Sequence, residues 1–324
     1  MAVALKRREA RPFAAVCLAS AACAVLGLTP AATGLASSES VAPATIVARI
    51  TTGRRPCLAA PIRRYVWVSN YGGSTLARVN PNTNRLAGRK IKVGSQPCGL
   101  AVAGGNVWVD GYGTSRIERV SLKTLKVSRR IRVGAAPWDV RYAAGSLWVS
   151  NNFDGTVWRL NPATGRVLRK IRTGGGPANI SFLLGSIWVG STSGRSVFQI
   201  DPSTNRVTTV SAGGDAPTSL EESAASIWIA NRDSNTVTRL DPVSAQVLAT
   251  IPVGANPHWL AAGSDGTLFV PNNGDNTVSR IDPAANAVTE TLRVGPGPIV
   301  IRRAVGDLWL THLRGTQVWR IHVG

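Results

Sequence analysis

The sequence predicts an all-β fold, a seven-bladed β-propeller with four antiparallel strands per blade. Three markers sharing one period predict it. An apolar-aromatic-apolar core recurs at Trp67, Trp108, Trp148, Trp188, Trp228, Phe269 and Trp309, at spacings of 41, 40, 40, 40, 41 and 40 residues. A Gly-x-x-Pro turn recurs with it and ends on Pro56, Pro97, Pro137, Pro177, Pro217, Pro257 and Pro298. The third marker is a strand of the form x-Val-x-Arg-Leu followed by Asp/Asn-Pro, as at residues 157–162 and 237–242. Units of about forty residues cannot bury their faces alone, so they stack around a ring. The 33 Gly, 19 Pro and 10 Trp, with a single Met, suit short strands and many turns rather than helices.

Taken in chain order, the first element is an export signal. Lys6, Arg7, Arg8 and Arg11 precede an apolar run over residues 13–28, which Pro30 breaks before the small residues of Gly34-Leu35-Ala36. The run is shorter than a usual membrane span, which favours a cleaved signal peptide at 1–36 over a retained anchor. Residues 37–45 read as a linker and 46–324 as the propeller. The expected location is secreted or cell-envelope associated, where disulfides are permitted.

Within each unit, the turn proline opens a small-residue innermost strand such as 100–103. The Val-Trp-Val strand follows, then the Val-x-Arg strand, then an outermost strand such as 167–172. The last unit stops after its third strand, at residues 318–321, while the chain opens on an unpartnered strand at 45–53. That N-terminal strand is expected to complete the last blade and leave no open edge.

The phrases Trp148-Val149-Ser150-Asn151, residues 236–242 and Ile251-Pro252-Val253-Gly254 resemble the YVTN-type β-propeller repeat, and are similar to the streptogramin (virginiamycin B) lyase propellers. The resemblance covers residues 46–324. For a lyase of that type it implies proton abstraction by a His, with acidic residues and Mg²⁺ on the face that carries the Gly-x-x-Pro turns. His258 directly follows Pro257 and matches the catalytic His. His312 stands where a carboxylate is wanted, and Asp110 is the only acid near that register. The oxygen ligands a hard cation requires are not assembled. The sequence therefore favours a non-catalytic binding scaffold with no cofactor. The alternative is a carbon-oxygen lyase using His258 and Mg²⁺.

Candidate ligand-binding residues follow from positions where the repeats diverge. One and two residues past the turn prolines stand Trp138, Asp139, Asn179, His258 and Trp259, with His312 at a strand end and Tyr71, Tyr112 and Phe153 in the loops beyond the Trp strands. The bland reading of these positions is drift at loosely packed sites. Cys57 and Cys98 occupy equivalent positions in adjacent blades, which in an exported protein points to a disulfide. No metal-ligand spacing is present.

The charge is lopsided. Residues 54–172 hold 22 Lys+Arg against 4 Asp+Glu, whereas residues 173–324 hold 10 against 11. The excess concentrates on expected outermost strands, at Arg89, Lys90 and Lys92, at Arg129, Arg130 and Arg132, and at Arg169, Lys170 and Arg172. Charged outer strands guard against edge pairing. The equivalent stretches 207–211 and 247–252 carry no charge, so edge protection does not account for the asymmetry. An arginine-rich compositional background remains the plain alternative. The functional reading is a polyanion-binding rim facing an anionic polymer or envelope surface. Export makes nucleic acid the less natural partner, and the channel mouth is left for a small ligand.

Overall fold

The computed structural model describes residues 43–323. Seven antiparallel sheets follow one another along the chain, and the innermost strand of each touches those of both neighbours, the seventh returning to the first. This is a closed seven-bladed β-propeller. Strand Thr45–Thr51 pairs antiparallel with Gln317–His322, so the N-terminal strand completes blade 7. The expected signal peptide, and most of the expected linker, lie outside the described residues.

The repeated Trp explains why the blades stack. Trp67, Trp108, Trp148, Trp188, Trp228 and Trp309 are each at most 2% exposed. Each packs into the apolar face of the following blade, as Trp148 does against Ile180, Ile187 and Val189. Truncating such a side chain typically costs 3–5 kcal/mol, so these residues are the main adhesive between blades.

The third-strand Arg sits directly across from this Trp, in the pairs Trp148–Arg159, Trp228–Arg239 and Trp309–Arg320. Its guanidinium lies over the ring, 5.1 Å from its centre in the first case, and continues into the next blade. Arg159 donates to Ser146 Oγ in its own blade (2.9 Å) and to Pro202 O (2.6 Å) and Asn205 Oδ1 (3.1 Å) of blade 4. Arg239 repeats the pattern with Ser226, Pro283 and Asn286, and Arg320 with Asp307, Pro81 and Asn84. These Arg are clasps between blades, and the last of them reinforces ring closure.

The Gly-x-x-Pro turn and the Asn that ends the Trp strand prove to be one contact. A Cβ on Gly134 would stand 2.6 Å from Asn151 Cγ, and one on Gly214 would stand 2.6 Å from Asn231 Cγ. The Asn side chains in turn bond a Thr five residues on, across the hairpin, as Asn70 does to Thr75 Oγ1 (3.1 Å) and Asn272 to Thr277 Oγ1 (2.9 Å). Glycine is required here by close approach rather than by handedness.

Blade 1 departs from expectation at its outer edge. The predicted strand over Arg89, Lys90 and Lys92 is broken into Arg85–Leu86 and Ile91–Lys92, with Gly88 at φ +76° between them. Arg89 and Lys90 therefore lie in the connecting bend, and only Lys92 of the three is in a strand.

Candidate functional site: the channel mouth

The third residue of each Gly-x-x-Pro turn has a positive φ, from Arg55 (+50°) and Ala136 (+51°) to Asn256 (+55°). Seven such turns, with the loops after the Trp strands, form one mouth of the channel. There the structure has a cavity of about 150 Å³. Six predicted residues line it: Tyr71, Tyr112, Trp138, Asn179, His258 and Trp259. Cys57 and Cys98 are also in its wall, joined as a disulfide across neighbouring innermost strands with a Cα–Cα distance of 5.2 Å. Arg55, Ile299, Val300 and Leu313 complete the lining.

The aromatic groups form a continuous wall. Tyr112 meets Tyr71 at 6.4 Å between ring centres, and Trp138 at 5.8 Å in an edge-on arrangement. Arg55 lies over the Tyr71 ring at 5.2 Å, with its cation directed along the rim. Asn179 is held in place by donating from Nδ2 to Thr218 O in the next blade (2.9 Å). Such a wall presents flat apolar faces with few polar handles, the usual character of a small-ligand site.

His258 is half-buried in this wall. Burial, and then the nearby Arg232 guanidinium, pull its pKa down to about 4, which Asp233 offsets only in part. The imidazole is therefore neutral at neutral pH, and Asp233 is itself engaged by Arg232 at 2.6 Å.

Three predicted ligand-binding residues are not part of the cavity lining. Asp139 is buried at 3% exposure, where its carboxylate accepts hydrogen bonds from the backbone N–H groups of Val140 (2.9 Å) and Ile180 (3.0 Å). It is a staple between blades 3 and 4. Phe153 projects into solvent at 73% exposure and touches the site only through Tyr112, 5.8 Å away. His312 is buried at the blade 7 strand end, with Nδ1 3.2 Å from Gln317 O and its ring 4.8 Å from that of Trp319. It fills the position that Asn occupies in blades 1, 3, 5 and 6, and hence carries a structural assignment.

The donor set does not fit Mg²⁺. The cavity lining includes no carboxylate. Asp110 and Asp139 flank Gly99, beside the lining residue Cys98, and both are already committed to backbone donors: Asp110 accepts from Cys98 N (2.7 Å) and Gly99 N (2.9 Å). Burial raises the pKa of both, and Asp139 adds to the rise at Asp110. Carboxyls pushed towards the neutral form and already hydrogen-bonded are poor ligands for a hard cation.

The basic sector forms a second surface. A groove of about 690 Å³ runs between the outermost strand of blade 2, Val127–Arg132, and the turn of blade 3, lined by Arg129, Arg130, Arg132, Arg166 and Thr164. Among the described residues, only one ion pair falls within 54–172, Arg130 to Glu118 at 2.8 Å, and the others lie beyond residue 194. Arg169, Lys170 and Arg172 project from the next outermost strand, Val167–Arg172, with Lys170 capping the Trp158 ring at 4.2 Å.

No protein-family model and no curated protein matches the chain. Solved structures resemble it strongly in shape. Virginiamycin B lyase from Staphylococcus aureus superposes with a TM-score of 0.75 at 15% identity, covering 86% of this chain and 99% of that one. A catalytically inactive variant of that lyase, with quinupristin, gives 0.73 at 15%, over 86% and 98%. Hydrazine synthase from Kuenenia stuttgartiensis gives 0.69 at 15%, over 83% and 95%, and a WD40 propeller domain gives 0.73 at 10%, over 86% and 96%. Proteins of such different kinds at 10–15% identity share a ring of blades with this chain, and the likeness is one of fold.

Proposed function

We propose that this propeller is a non-catalytic binding scaffold whose first three blades engage an anionic polymer or envelope surface. The observation that carries the reading is the inter-blade groove of Arg129, Arg130, Arg132 and Arg166, where a single one of the four is neutralised by a protein carboxylate. Cations held on rigid strands at a groove of this size suit a chain of repeated negative charges. Each Lys or Arg near an anionic surface contributes about 1 kcal/mol at low ionic strength. An export signal and the disulfide in the channel wall support action at the cell envelope or outside the cell.

The test is binding to polyphosphate, to a polycarboxylate and to anionic vesicles across a salt series. Affinity should fall steeply between 50 and 200 mM salt, as expected when several phosphates are neutralised. Replacing Arg129, Arg132, Arg166, Arg169 and Arg172 together by Gln should flatten that dependence and lower affinity at least tenfold. Intact affinity in this variant would remove the reading.

A second reading, a streptogramin-lyase-like activity, rests on the shape likeness to virginiamycin B lyase and on a neutral imidazole, His258, in an apolar cavity. The carboxylate ligands that reading calls for are absent from the cavity wall. His258→Ala separates the two. A scaffold keeps its polyanion affinity in this variant, whereas a lyase loses turnover of its substrate.

A further inference from the structure

The opposite mouth of the channel has a charge pattern of its own. Four residues past the turn prolines, blades 1, 2, 4 and 6 present only Ala or Ser, whereas blades 3, 5 and 7 present Arg141, Glu221 and Arg302. These three side chains border a cavity of about 230 Å³, whose remaining wall holds Arg303 and Ser181 among apolar residues that include Leu260, Ile301 and Trp259. Trp259 also lines the cavity at the first mouth, so its indole separates two chemically different chambers.

The two arginines are unspent. Arg302 lies against Trp259, with its guanidinium carbon 5.0 Å from the ring centre, and its Nε is buried without a hydrogen-bond partner. None of the ion pairs among the described residues involves Arg141, Glu221 or Arg302. In blades 3, 5 and 7 the third-strand arginines are each held by Ser or Asp, Pro and Asn oxygens, which Arg141 and Arg302 lack among the described residues. Burial, with Arg141 next, draws the Arg302 pKa down to about 10, against the pull of Asp139 and Glu221. Both effects mark a place where added negative charge is favourable.

We propose that this second mouth binds a small organic carboxylate, with Arg302 and Arg141 as its two anchors from non-adjacent blades. A guanidinium offers a planar fork that matches a carboxylate in a bidentate pair. The apolar wall and the Trp259 face accommodate a short hydrocarbon body. The cavity is below the roughly 300–1,000 Å³ of drug-sized sites, which limits the ligand to a few heavy atoms. Glu221 shares the ring and opposes a second negative charge on its side, so the anchor lies towards blades 3 and 7.

The experiment is calorimetric titration of the full chain with succinate, propionate, neutral succinamide and inorganic sulfate at 150 mM salt. A carboxylate should bind at one site per chain, while succinamide and sulfate bind at least tenfold more weakly. Arg302→Met and Arg141→Met should each weaken carboxylate binding at least tenfold, and Glu221→Gln should tighten it several-fold. Arg302→Lys keeps the charge without the fork, and should also bind weakly, which covers the case in which the Met variant does not fold. Replacing Arg132 and Arg166 by Gln should leave carboxylate affinity unchanged, separating this site from the polyanion groove. Absence of binding by the unaltered chain, sulfate as good a ligand as the carboxylates, or full affinity in both Arg302 variants would each overturn the proposal.

Discussion

The junction between blades 3 and 4 and that between blades 1 and 2 are built from the same repeat; the second carries the Cys57–Cys98 disulfide, and the two use the third-strand Arg differently. Arg159 reaches across the first and finds Pro202 O and Asn205 Oδ1. Arg78 stands at the same register of blade 1, opposite Trp67, yet its Nε is buried without a partner. The turn it faces in blade 2 offers Leu122 and Leu125 in place of Pro and Asn. Its own-blade partner is changed too, since Tyr65 stands where blade 3 has Ser146, and Arg78 rests over that ring at 5.3 Å. An identical side chain is a clasp at one junction and a stacked cation at the other, and the neighbouring blade decides which.

The largest effect that sharpens this comparison is expected at the ring seam. Arg320→Ala removes one of the two partners of the buried Asp307, leaving His322 Nδ1 at 2.8 Å, and removes the donor to Pro81 and Asn84 of blade 1. Urea denaturation should show a loss of about 3 kcal/mol. Arg159→Ala, which breaks a clasp with neutral acceptors, should cost about 2 kcal/mol. Arg78→Ala should cost no more than about 0.5 kcal/mol, because it releases no acceptor. Equal losses in the two single variants would end the clasp interpretation. A smaller effect tests whether the open junction can be closed. Leu125 already adopts φ +57°, a conformation Asn tolerates better than Leu. Leu125→Asn should therefore couple favourably to Arg78 by about 1 kcal/mol in a double-mutant cycle, and show no coupling when Arg78 is Ala.

A pH-dependent effect concerns another departure from the repeat, His312 in place of Asn. Its pKa is drawn down to about 4 by burial, with the Gln317 carbonyl acting the other way. The folded state then holds the ring neutral while the unfolded chain takes up a proton below about pH 6.5. Stability from this group is complete above that pH and is lost as pH falls towards 4. His312→Asn should remove that share of the pH dependence. Comparing the melting temperatures of the two proteins at pH 7 and pH 4.5 measures it.

The blade count, the strand order and the seam were legible in the sequence because they depend on residues spaced one repeat apart. The turn glycine was legible as part of a marker, although its contact with the strand-end Asn, Gly134 on Asn151, needs coordinates. At the site, the positions directly after the prolines bring Trp138, Asn179, His258 and Trp259 to one cavity, since each turn delivers them to the same mouth. Asp139 shares the register of Asn179 and Trp259 yet lies outside the cavity lining, because its carboxylate accepts from the Val140 and Ile180 N–H groups in the wall between blades 3 and 4. Arg55 was missed, one residue before a proline, because a left-handed backbone there redirects the side chain. Arg141, Glu221 and Arg302 were in plain view two registers further down, and the signal that finds them is divergence between repeats at a position that is otherwise Ala or Ser. The clasps were illegible for a deeper reason, since the fate of each Arg is written in the turn of the following repeat.

The pairing of Thr45 with His322 has a consequence for how such a chain is made. A polypeptide emerges from its N-terminus, so the first strand waits while six blades assemble from local contacts. Its partner appears only after those six blades have been made. The two ends then meet at the largest sequence separation the ring contains, which is the slowest kind of contact to form. A chain that stops early keeps a bare strand at one end and an unmated blade at the other, both open to pairing with other chains. Ring closure is thereby checked by the architecture itself: only a chain that reaches the strand Gln317–His322 can hide its own edges.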